Sequence, residues 1–114
     1  MITRHEVTGR LSKVVVANGF AFLSGLTPND RSGGVAEQTA DILRQIDGYL
    51  ATAGTDKTRI VVANIWLKDI STFNQMNAAW EAWVDPAQPP ARATVESRLA
   101  AENILVEIQV QALV

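Results

Sequence analysis

Arg92 and Glu107 are the two side chains of this sequence best suited to chemistry on a small molecule. Arg92 stands in Pro89-Pro90-Ala91-Arg92-Ala93-Thr94-Val95-Glu96-Ser97-Arg98-Leu99, an alternating run that puts Arg92, Thr94, Glu96 and Arg98 on one face of a strand. Glu107 interrupts Ile104-Leu105-Val106-Glu107-Ile108, where Ile104, Val106, Ile108, Val110 and Ala112 face one way and Glu107, Gln109 and Gln111 the other. A guanidinium is a planar fork that holds a carboxylate through two parallel hydrogen bonds, which lysine cannot match. A glutamate drawn out of water has its pKa raised and becomes a better proton carrier near neutrality. The two runs are therefore expected to meet, with the anchor and the carboxylate on one sheet surface. Each residue also has a plainer reading: a surface arginine in a weak cross-strand pair, and a glutamate on the solvated face of its strand. By parity Glu96 could fill the proton-carrying role instead, and periodicity does not separate the two.

Three other places could contribute. Ser24-Gly25 closes a strand just before an irregular loop, and a glycine there allows a ligand close to the backbone, as a simple turn also would. Asn77 lies on a helical stripe, four residues after Phe73 and three before Trp80, where an amide either satisfies nearby backbone or lines a pocket. Ser32-Gly33-Gly34 precedes a helix whose N-terminus could hold an anion, a weak signal by itself. Trp66, Trp80 and Trp83 are most economically core or interface aromatics.

Composition narrows the choice further. The 114 residues carry ten Lys and Arg against twelve Asp and Glu, a net charge of −2, without the basic cluster a nucleic-acid partner calls for. With no cysteine there is no disulfide, thiol nucleophile or common zinc module, and with one histidine, His5, a catalytic triad or multi-histidine metal site is improbable. His5 falls near an end expected to fray. No run reaches the roughly 18 apolar residues of a membrane span, and the first residues lack the apolar stretch of a signal peptide. The expectation is one cytoplasmic domain over residues 1–114, its chemistry done by carboxylates, arginines, hydroxyls, amides and backbone groups.

These residues need a sheet to hold them. Lys13 to Val16, Asn18-Gly19, and Phe20 to Ser24 read as a hairpin, since Asn-Gly suits the two positive φ angles of a type I′ turn. Leu26 to Gly34 reads as a loop. Val35 to Ala53 carries apolar residues at helical spacing and is stopped by Gly54. Ile60 to Leu67 reads as a buried strand, with Val61, Ala63, Ile65 and Leu67 on one side and Trp66 on the other. A second helix, capped by Ser71 and striped by Phe73, Met76, Trp80 and Trp83, ends before Asp85-Pro86. The order β-β-α-β-α-β-β gives an α+β fold, one sheet with two helices on one face. Burial of Trp66 opposite the helices argues that the other face packs against another subunit.

In order, these pieces resemble the RidA (also YjgF) reactive-intermediate deaminase family. The resemblance is carried by Phe22-Leu23-Ser24-Gly25, Val61 through Trp66-Leu67-Lys68-Asp69, Met76-Asn77-Ala78-Ala79-Trp80-Glu81-Ala82-Trp83, and Pro90-Ala91-Arg92 with Val106-Glu107-Ile108, over nearly the whole chain. It implies a chorismate-mutase-like fold with one mixed sheet, and a homotrimer whose sheets form a central barrel with clefts between subunits. It implies hydrolysis of 2-imino or 2-enamino acids to 2-oxo acids and ammonia, without cofactor or metal. Arg92 then holds the substrate carboxylate and Glu107 positions or activates water, while Ser24, Gly25 and Asn77 line the pocket. Two departures matter. Thr94 replaces a cysteine common in the family, keeping a backbone N–H for a carboxylate but no thiol. Arg10 or Leu11 falls where well-studied deaminases carry a tyrosine; Arg10 there would favour a more acidic ligand, and Leu11 would make the wall apolar. The same cleft also suits a non-catalytic trimer that binds a 2-oxo acid or related anion.

Overall fold

The computed structural model describes residues 1–114. Six strands, β1 (Ile2–Val7), β2 (Ser12–Ala17), β3 (Phe20–Leu23), β4 (Ile60–Leu67), β5 (Ala91–Glu96) and β6 (Val106–Leu113), form one sheet in the order β1-β2-β3-β6-β4-β5. Helices α1 (Val35–Thr52) and α2 (Phe73–Trp83) complete it. β4 and β5 run parallel and every other neighbouring pair is antiparallel, so the sheet is mixed. Neither helix is long and apolar enough to cross a membrane.

The hairpin between β2 and β3 turns at Asn18 and Gly19, whose φ angles of 52° and 82° are those of a type I′ turn. α1 ends in a Schellman motif. Gly54 takes φ 82°, its N–H donates to Ala51 O at 3.0 Å, and Thr55 N–H donates to Leu50 O at 2.9 Å. Side chains of α1 and α2, among them Ile42, Ile46, Met76 and Trp80, bury against Val14, Leu23, Ile65, Val106 and Ile108 of the sheet.

Three expectations need correction. The N-terminal segment is no frayed end: β1 pairs antiparallel with β2 from Ile2↔Ala17 to Val7↔Ser12, so the order is β-β-β-α-β-α-β-β. Its side chains are nearly all exposed, so backbone pairing rather than apolar alternation holds it, and the sequence pattern carries little sign of it. At α2, Ser71 is not the cap. The Asp69 carboxylate accepts from Ser71 N–H at 2.9 Å, and a 3₁₀ turn over Ile70–Thr72 leads into the helix. In β4, Ile60 pairs with Ala112 but Val62 with Gln111. The extra residue is a bulge that turns Val61 outward, 44% exposed, and buries Ile60 in its place.

The face opposite the helices is open in the single chain. Phe22 and Val95 on it are 39% and 50% exposed, and Trp66 is half-buried.

Candidate active site

Arg92 belongs to the edge strand. It lies level with Ala63, and Thr94 with Ile65, both core residues, so Arg92 points to the helix side of the sheet. There α2 supplies a bed for it. The guanidinium carbon lies 5.3 Å from the Trp80 ring centroid and 5.8 Å from that of Phe73, within cation–π range of both. Phe73, Asn77 and Trp80 follow one another at offsets of four and three residues, which places them on one face of the helix. Asn77 is half-buried, and its amide makes no hydrogen bond within the chain. Partial burial lowers the pKa of Arg92, and the negative charge of Glu81 works against that shift. The chain's one ion pair joins Lys68 to Glu102 at 2.9 Å, so the guanidinium of Arg92 is uncommitted.

Glu107 lies level with Trp66, on the face away from the helices. Leu26 and Ile108 exchange backbone hydrogen bonds of 2.8 and 3.0 Å, which fixes Gly25 beside the Glu107 side chain. The fit is so close that a Cβ on Gly25 would overlap the Glu107 Oε2. The carboxyl has no hydrogen bond or ion pair within the chain, and desolvation raises its pKa above the ordinary 4.5. Glu96, which parity does not separate from Glu107, is differently engaged: it lies level with Leu67, and its Oε1 accepts from Ile70 N–H at 3.0 Å in the turn before α2.

Two buried hydroxyls lack partners, Ser24 Oγ beside Gly25 and Thr94 Oγ1 beside Arg92. Arg10 is exposed in the turn between β1 and β2, where Thr8 Oγ1 accepts from the N–H groups of Arg10 and Leu11 at 3.2 and 3.1 Å. This turn lies at the Ser24 end of the sheet, because Ser24 N–H donates to Lys13 O. At the start of α1, the helix's own Glu37 lies over Gly33, so the Ser32-Gly33-Gly34 segment offers no cleared anion site. Concavities of about 500 and 440 Å³ flank Lys68, one beside Arg98–Glu102 and the other beside Val35, Thr72 and Leu105. Neither is lined by Arg92 or Glu107.

The expected meeting of Arg92 and Glu107 on one surface is therefore corrected. β4 separates their strands and the two side chains leave opposite faces of the sheet. Parity orders residues within a strand but says nothing of one strand relative to another. The candidate residues thus fall into two groups, Arg92 and Thr94 on β5 with Asn77 on α2, and Ser24 and Gly25 beside Glu107.

The model of the family described as Endoribonuclease L-PSP matches residues 1–114. The chain belongs to the RidA/YjgF family. A RutC family protein of Haemophilus ducreyi is 45% identical over 98% of this chain and 96% of its own. The RutC family protein YoaB of Escherichia coli is 38% identical over 99% and 98%. A solved YjgF-family structure from Neisseria meningitidis superposes with a TM-score of 0.97 at 45% identity, covering 99% of this chain and 94% of that one. The mixed six-stranded sheet with two helices is thus the RidA/YjgF fold.

Proposed function

We propose that this chain is a cytoplasmic deaminase of 2-imino and 2-enamino acids, acting without cofactor as a homotrimer with its sites at the seams between subunits. One observation carries the reading: an uncommitted arginine, bedded on two aromatic rings at a sheet edge, whose complementary desolvated glutamate projects from the opposite face. Two strand spacings, roughly 10 Å, and the thickness of the sheet keep them apart within one chain. A second copy can unite them, its open face meeting the β5 edge of the first. Packing the open faces into a central barrel would also bury Phe22, Val95 and Trp66.

The chemistry asked of such a seam is modest. Arg92 holds the substrate carboxylate through two hydrogen bonds and so orients the adjoining C=N carbon, an effect that contributes several kcal/mol in well-placed systems. With the imine nitrogen protonated, water adds to the carbon. Glu107, its proton affinity raised by desolvation, takes a proton from that water and returns it to nitrogen. The carbinolamine then collapses to the 2-oxo acid and ammonia, so one imine and one water are consumed for each pair of products. Thr94 N–H can add to the hold on the carboxylate, with Ser24, Gly25 and Asn77 as walls. Arg10 stands at the rim nearest Ser24. The family is described as an endoribonuclease. A chain of net charge −2 with a single uncommitted guanidinium in the site suits a small acid better than a polyanion.

The test is the release of oxo acid from freshly generated iminopropanoate and iminobutanoate. Wild type is expected to exceed the buffer rate, and Arg92→Ala to fall to it while the trimer persists. Full activity in Arg92→Ala would refute the anchor. Binding of 2-oxobutanoate by wild type without turnover of either imine would favour the non-catalytic binding protein.

A further inference from the structure

We propose that Gln38 is a positioning residue for Glu107, holding the Gly25 backbone against its carboxyl from a fully buried place on α1. The proposal rests on the reading of Glu107 as the group that handles the proton of the attacking water, and adds the residue that fixes where that carboxyl stands. A buried amide is costly unless both its ends are bonded. Gln38 is 0% exposed, and both its ends are bonded. Its Nε2 donates to Asn103 O at 2.9 Å, to Arg31 O at 3.2 Å and to Gly33 O at 3.4 Å, and its Oε1 accepts from Leu105 N–H at 2.9 Å. One side chain thereby joins the segment that follows β3 to the segment that enters β6.

What those two segments carry gives the joint its meaning. The first leaves Gly25 and runs to α1 with a single bridge to the sheet, Leu26 with Ile108. Its middle is tied to α1: the Asp41 carboxylate accepts from the N–H groups of Asn29 and Asp30 at 2.9 and 3.1 Å, and Gln45 Nε2 donates to Thr27 O at 2.8 Å. The second segment is fixed to β4, since Lys68 N–H donates to Leu105 O at 3.0 Å. The ties of the first segment to β6 therefore bracket Glu107, at Ile108 on one side and through Gln38 at Leu105 on the other. A single bridge is a pivot, and the second tie removes rotation about it. An exposed bond from Arg31 Nη1 to Asn103 Oδ1, at 3.4 Å, is the weaker companion of that tie. Little displacement is tolerable at the pivot, because Gly25 and the Glu107 carboxyl leave no room between them for a methyl group.

The experiment measures turnover of iminobutanoate and binding of 2-oxobutanoate by the full-length assembly, with the oligomer checked by gel filtration and rates read well below each melting temperature. Gln38→Met keeps the length of the side chain and loses every bond. It is expected to lower kcat about ten-fold and to leave affinity for 2-oxobutanoate within about two-fold, because Arg92 lies against α2 rather than either segment. Gln38→Glu keeps an acceptor for Leu105 N–H and loses the amide donors to the first segment. It should show the same split, and serves where Gln38→Met does not assemble. The deciding measurement is the cycle with Gly25→Ala. When Gln38 acts through the contact of Gly25 with Glu107, Gly25→Ala already carries the loss, and adding the Gln38 variant lowers kcat by less than about two-fold more. A merely structural role gives wild-type kcat per assembled site, or losses that multiply. Either of those results, with turnover lost in Glu107→Gln, overturns the role of Gln38 alone. Undiminished turnover in Glu107→Gln overturns the reading of Glu107 beneath it.

Discussion

Arg92 and Glu107 project from opposite faces of the same sheet, with β4 between their strands. If one reaction needs both, each catalytic pair must draw its members from two chains. Mixing tests this directly. Arg92→Ala and Glu107→Gln are each expected to be inactive alone. After the two are unfolded together and reassembled, a seam works when its arginine comes from the second variant and its glutamate from the first. Random assembly satisfies both conditions at half times half of the seams, so about a quarter of wild-type activity should return. A site contained within one chain would regain none.

Gly25 offers a second probe, because its missing side chain is what leaves room for the Glu107 carboxyl. The backbone there does not need positive φ, so alanine strains only the contact. Gly25→Ala is expected to displace the carboxyl and lower turnover on the order of ten-fold or more, since misplacement of about 1 Å is enough for such losses. Gly9 is the control, as a Cβ there meets nothing within 4 Å. Gly9→Ala should match wild type in both activity and circular dichroism.

Where a residue's conformation is decided locally, the sequence was readable. Asn18-Gly19 announces a turn because both positions need positive φ, and Gly54 announces a helix end for the same reason. The parity of Val106, Ile108 and Val110 against Glu107 held because one face of β6 is buried whatever its neighbours are. Where the outcome depends on which strands adjoin, it was not readable. The faces of Arg92 and Glu107 follow from β4 lying between β5 and β6, a matter of topology. The bulge at Val61 is likewise invisible in a run of β-branched residues, since Ile60 and Val61 suit the core equally well. Glu96 and Glu107 look alike as letters. Only the Ile70 N–H, brought to Glu96 by the turn before α2, tells them apart.

Thr94 carries a hydroxyl that is buried without a partner. An orphaned buried hydroxyl costs about 1–3 kcal/mol, and replacing it by an apolar group of like shape is neutral or stabilising. Thr94→Val is therefore expected to raise stability by up to about 1 kcal/mol in denaturant titration at fixed protein concentration. Turnover should hold if, as proposed, the group offered to the carboxylate at this position is the backbone N–H. A fall in affinity for 2-oxobutanoate with stability unchanged would instead assign the hydroxyl to the ligand.

Glu107 also couples the fold to pH. Its pKa is raised above 4.5 by desolvation, so the folded chain binds this proton more tightly than the unfolded chain does. The resulting stabilisation is complete below pH 4.5 and is lost as pH rises through the folded value. Glu107→Gln removes the charge and keeps the shape. Its melting temperature is expected to exceed that of wild type at pH 7, with the gap closing on acidification toward pH 4 and below. The same raised value should appear in wild-type turnover as an acid limb of kcat/KM displaced above the ordinary carboxylate range, since protonated Glu107 cannot accept a proton from water. Parallel melting curves of the two proteins across this range would mean that the carboxyl is solvated in the assembly, and with it the basis for its role would go.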